Sequence, residues 1–162
     1  MKENQLRELV AKGLPKIAVG SINAVYPLGF KATEEPGRDY SIEAQVVGSQ
    51  LIYTRNFQIC SFLIMEAGQI FKLGQRVFPK YERMEIPKMV VSANGEALNT
   101  IMGKLAYLLG KVDGDAEVVT APPIVLNCSG PNRVAVRAAD SLFLKLDAAD
   151  LSMLITASIQ QV

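Results

Sequence analysis

Histidine is absent from the 162 residues, and tryptophan is absent too. Without imidazole there is no Ser–His or Cys–His nucleophile pair, no histidine general base and no His-ligated metal. Cysteine is scarce: Cys60 and Cys128 stand far apart in apolar stretches. That spacing makes neither a disulfide framework nor a zinc pattern, so buried free thiols in a reducing cytoplasm are expected. Charge of one sign is lacking as well. With 17 Lys+Arg against 16 Asp+Glu the net charge is +1, which leaves no basic excess for neutralising phosphates and excludes a nucleic-acid partner on that basis. The longest apolar run, around Phe62–Met65, is far short of the ~20 residues that span a bilayer. The first eight residues, Met1 to Glu8, mix both charges with no apolar core, so no signal peptide is expected. These absences together predict a cytoplasmic protein with no membrane partner.

What is present fits one globular unit, 1–162. Hydrophobic residues make up 49% and charged residues 20%, enough apolar content for a real core and too much for wholesale disorder. Leu6, Leu9, Val10, Ile17, Ile22 and Val25 predict a helix over 4–26, with a break or kink near Gly13 and Pro15. The run from Thr33 to Asp39 has turn chemistry and predicts a surface loop. Two strands follow between Tyr40 and Met65, joined near Arg55-Asn56. Glu66 to Phe78 has helical spacing up to Pro79, and a long helix should open near Pro87 and stop at Gly110. Glu117 to Leu126 predicts a strand with Pro122-Pro123 at an edge or bulge. Separate strands are expected around Val134–Val136 and Leu142–Leu146. The segment 151–160 fits helix and strand alike. The order predicts a two-layer α+β fold, with helices on one face of a largely antiparallel sheet.

The long helix carries the informative pattern. On a wheel of about 100° per residue, Val90, Val91, Leu98, Ile101, Met102, Leu105, Leu108 and Leu109 form one broad stripe. Ser92, Glu96, Asn99 and Gly103 gather on the other side. Glu96 and Asn99 are three apart and so are surface neighbours. Gly103 lies one turn further, where a missing side chain lets another backbone approach. Solvated polar residues on an amphipathic helix would look the same. Asn94-Gly95 is also a hairpin signal, but its flanks follow the 3.6-residue period, which favours the helix.

Gly95-Glu-Ala-Leu-Asn-Thr-Ile-Met-Gly103 resembles the Gly-Glu-x-x-Asn-x-x-x-Gly signature of the CheC/CheX chemotaxis phosphatases. The surroundings are similar too: an N-terminal helix, a β-hairpin and a short helix come first, and Ala121-Pro-Pro-Ile-Val125 looks like that family's proline-containing strand. The resemblance implies a CheC/CheX-like fold and hydrolysis of an aspartyl phosphate on a phosphorylated CheY-like response regulator. Asn99 would insert into the partner's active site and orient the attacking water, Glu96 would pair with a lysine of the regulator, and Ser92 and Gly103 would line the docking face. The Mg²⁺ would belong to the partner, with no metal or cofactor bound by this chain. Only one Glu-x-x-Asn copy is present, as in the CheX branch, whose members commonly form homodimers. Lys104 departs from the small polar residue or Asn that the family often has there. A relative that binds regulators without hydrolysing them, as an adaptor, is the alternative.

The chemistry suits these residue types. Phosphoryl transfer depends mostly on positioning and charge stabilisation, and an amide positions water with a donor and an acceptor without titrating. Other groups have plainer readings. Arg133 and Arg137 could hold an anion but sit where outward strand charges would. Asp140, Asp147 and Asp150 match no calcium loop and suit turns.

Overall fold

Apolar residues three and four apart explain helix α1, Glu3–Val25, which buries Leu6, Val10, Leu14, Ala18 and Ile22 on one stripe. The chain is described by a computed structural model over residues 2–34, 40–66, 68–112, 117–136 and 141–162, with backbone alone at 34, 40–45 and 128–136. Gln5 Oε1 accepts the Lys2 backbone N–H at the start of α1. Tyr26, held extended before Pro27, ends it. The expected break at Pro15 does not occur, and the helix runs through it. An interior proline costs about 3 kcal/mol, whereas each fully buried aliphatic side chain contributes about 1.5–3 kcal/mol. Four large ones lie along this stripe, so packing outweighs the missing hydrogen bond.

Strand β1, Lys31–Glu34, occupies part of the segment read as a loop, of which 35–39 lies outside the described residues. Strands β2, Tyr40–Tyr53, and β3, Phe57–Glu66, form the expected hairpin across Arg55-Asn56. Because β3 continues to Glu66, helix α2 is shorter than expected, Gln69–Val77. Gly74 of α2 is required by packing: a methyl there would lie 2.1 Å from Ile86 Cγ2. Helix α3, Ile86–Val112, keeps Asn94-Gly95 inside it and passes through Gly110, which therefore does not act as a left-handed stop.

After α3 come β4, Val119–Thr120, and β5, Ile124–Val136. The two strands expected at 117–126 and 134–136 are thus parts of a broken edge and one long strand. The chain closes with β6, Ser141–Ala148, and β7, Leu151–Gln161. Among the described residues, the seven strands pair antiparallel in the order β1-β6-β7-β3-β2, with β4 and β5 following each other along the outer edge of β2. The ambiguous 151–160 is strand because it lies between β3 and β6. It buries Ile155 and Ala157 on one face and Leu154 and Thr156 on the other. Burial on both faces removes the alternation that marks a half-buried strand.

Three helices packed on an antiparallel sheet make the two-layer α+β architecture. The core lies between them, where Leu98, Ile101 and Leu105 of α3 meet Leu6, Val10 and Leu14 of α1 and Ile59 and Leu63 of β3. No helix among the described residues is long and apolar enough to cross a membrane.

Candidate functional site

Helix α3 lies close against the β2–β5 edge because small residues meet there. A methyl on Gly48 would sit 3.2 Å from Leu98 Cδ2, and one on Gly95 would touch Val125 Cγ2 at 3.4 Å. The helix face that flanks this contact is left open. Ser92, Glu96, Asn99 and Gly103 are all exposed there, while Val90, Leu98, Ile101, Met102, Leu105 and Leu109 are buried. Val91 and Leu108 are half-buried at the margin of the stripe. Gly103 opens onto free space: among the described residues, nothing beyond its own turn of helix lies within 4 Å of a methyl placed on it. The unusual Lys104 leans back, its Nζ 3.4 Å from Ser21 Oγ of α1.

Asn99 is not a loose surface amide. Gln50 of β2 is only 2% exposed, and its Nε2 donates to Asn99 Oδ1 at 3.1 Å and to the Ala121 carbonyl at 2.8 Å. The Ala121 carbonyl is itself set by the broken edge. The Ala121 N–H bonds the Leu51 carbonyl at 2.9 Å, and pairing resumes at Ser49 with Ile124, so the edge chain carries one extra residue there. Pro122 and Pro123 fill that irregularity, where their lack of N–H groups breaks no ladder bond.

Glu96 has no hydrogen bond or ion pair from its carboxylate to another described side chain. Beneath it, Tyr26 at the end of α1 points its hydroxyl into α3, 2.7 Å from Asn94 Oδ1 and 3.2 Å from the Val90 carbonyl. Burial, and then the negative charge of Glu96, hold the Tyr26 phenol well above its usual pKa, so it stays a donor. Asn94 is fully buried, and its Nδ2 has no partner among the described residues.

Sequence reasoning found the exposed face but missed Gln50, Ala121, Tyr26 and Asn94. One signal was available: Val46, Gly48, Gln50 and Ile52 take alternate positions of one strand face, and a glutamine among them breaks the apolar pattern. The secondary candidates that are described have partners or roles elsewhere. Asp150 pairs with Arg76 and Lys72, which hold its carboxyl below the usual range, and Asp147 pairs with Lys145 at 3.3 Å. Arg137 and Asp140 and the side chains of Arg133 and Cys128 lie outside the described residues. Cys60 is a free, half-buried thiol that burial pushes up in pKa. Among the described residues, no three acidic or cysteine side chains gather as metal ligands would.

No family model matches this sequence, and no curated protein matches it. Solved structures do match its fold. CheX from Vibrio vulnificus aligns with a TM-score of 0.67 at 14% identity, covering 94% of this chain and 99% of that one. A chemotactic CheC-like protein from Shewanella oneidensis MR-1 aligns at 0.65 and 15% identity, over 93% and 99%. CheX in the CheX-CheY-BeF3-Mg²⁺ complex from Borrelia burgdorferi aligns at 0.66 and 14%, over 92% and 96%. The chain therefore has the CheX/CheC-like fold over nearly its whole length.

Proposed function

We propose that this chain hydrolyses the aspartyl phosphate of a CheY-like response regulator, with Asn99 orienting the water and Glu96 docking the partner. The observation that carries the reading is the exposed face of α3. It presents a carboxamide whose oxygen is already held by Gln50, three residues from a carboxylate with no described partner in its own chain. The complex of CheX with CheY, in a protein of the same fold, supports a regulator as the partner.

The regulator supplies the phosphoryl group, its aspartate and the Mg²⁺. This chain supplies placement. Water attacks phosphorus, the bond between phosphorus and the aspartyl oxygen breaks, and the products are the free carboxylate and inorganic phosphate, which keeps the water's protons. No general base is required of this chain, because an acyl phosphate has a good leaving group and the barrier depends mostly on orientation. Asn99 can accept one water hydrogen through Oδ1 and donate through Nδ2. Glu96 contributes a point charge that a partner lysine can meet at the rim of the interface, which sets register and encounter rate. A homodimer, implied by the single-motif resemblance, belongs to the same proposal.

Substoichiometric protein mixed with phosphorylated regulator and Mg²⁺ should shorten the phosphoryl lifetime over many turnovers. Binding that leaves the lifetime unchanged would assign the adaptor role instead. Glu96→Lys should raise KM for the regulator by about tenfold at low salt, with a smaller loss in kcat, and the difference should shrink toward ~0.5 M salt. Equal KM values at low salt would remove Glu96 from the docking contact.

A further inference from the structure

We propose that Gln50 is a positioning residue that fixes which end of the Asn99 carboxamide faces the partner, an inference that rests on the phosphatase reading above. The Ala121 carbonyl can only accept, so the Gln50 amide must point Nε2 toward it, at 2.8 Å. The same Nε2 lies 3.1 Å from the Asn99 side chain, so the atom facing it must be Oδ1. Nδ2 of Asn99 is thereby turned away from Gln50, leaving the exposed residue with its donor end free to face the partner and one Oδ1 lone pair for a water hydrogen. The amide of Asn99 is set before any partner arrives, and orientation settled in advance is what water positioning requires.

A second observation points the same way. Gln50 Oε1 is buried with no partner among the described residues, so the side chain accepts an unfavourable buried oxygen in order to aim Nε2 at its two acceptors. An apolar residue at position 50 would suit the core better. Local violations of packing logic concentrate at functional sites. The irregular edge at Pro122-Pro123 then has a role as well, since it places the Ala121 carbonyl that orients Gln50.

The test compares wild type, Gln50→Met and Gln50→Leu by regulator dephosphorylation at varied regulator concentration, by thermal unfolding, and by nitrogen-15 relaxation of the Asn99 side-chain NH2. Each variant should lower kcat about tenfold while KM stays within about twofold. The unfolding midpoint should not fall, and the Asn99 NH2 should lose order. An active wild type with unchanged kcat in a folded variant overturns the proposal. If wild type is inactive the phosphatase reading fails, and the relaxation then decides: ordered Asn99 amides in the variants overturn the positioning role, and disordered ones sustain it. Loss of folding in both variants would make Gln50 a stability residue and overturn the proposal too.

Discussion

At Tyr26 one hydroxyl joins the end of α1 to the middle of α3, through Asn94 and the Val90 carbonyl. Removing it leaves the buried Asn94 oxygen without its donor, so Tyr26→Phe should cost about 1–3 kcal/mol, seen as a fall of several degrees in the unfolding midpoint. The same phenol gives a pH signature. Its pKa is raised in the fold, whereas the unfolded chain releases that proton near pH 10. Above that pH the folded state holds more protons than the unfolded, so stability falls as pH rises. Thermal unfolding between about pH 9 and 11 should show a steeper loss for wild type than for Tyr26→Phe, and parallel curves would contradict the assignment. Tyr26 could not have been singled out from the sequence, because its partner is 68 residues away. Asn99 and Glu96 could, because their spacing places them side by side on a helix and the motif around them resembles the CheC/CheX signature.

Helix α3 was legible because its 3.6-residue period extends over many turns, which outweighed the hairpin signal at Asn94-Gly95. β7 was not, because a central strand buried on both faces loses its alternation. β5 looks like two strands in the sequence because turn-forming residues at 129–132 lie inside it, and its register with β2 shifts there, from Asn127 opposite Val46 to Asn132 opposite Ala44. On α3 itself, Gly103 is a glycine that neither packing among the described residues nor backbone requires: it has no positive φ, and nothing described beyond its own turn of helix lies within 4 Å of an added methyl. Gly103→Ala should therefore stabilise the protein by about 1 kcal/mol through helix propensity. If the position is reserved for close approach by a regulator, the same change should raise KM severalfold. A more stable variant with unaltered KM would make Gly103 incidental to docking.

For the whole molecule, the lack of histidine fits the division of labour that the proposed function implies. The proposed partner brings the reactive phosphoryl group and the metal, and this chain brings a stiff helix presenting one amide and one carboxylate. A net charge of +1 suits recognition of a folded partner by shape and local pairing, since no strong overall field is needed. The antiparallel sheet and α1 hold α3 from beneath, and β2 reaches through with Gln50 to set the amide at the surface. In the proposed function, hydrolysis depends on that amide. That dependence is tested most directly by following phosphate loss from an excess of phosphorylated regulator with wild type and with Asn99→Ala, circular dichroism confirming an unchanged fold. Wild type should accelerate the loss, and Asn99→Ala should be about 100-fold or more slower, back toward the regulator's own rate; equal acceleration by the two proteins would remove Asn99 from catalysis.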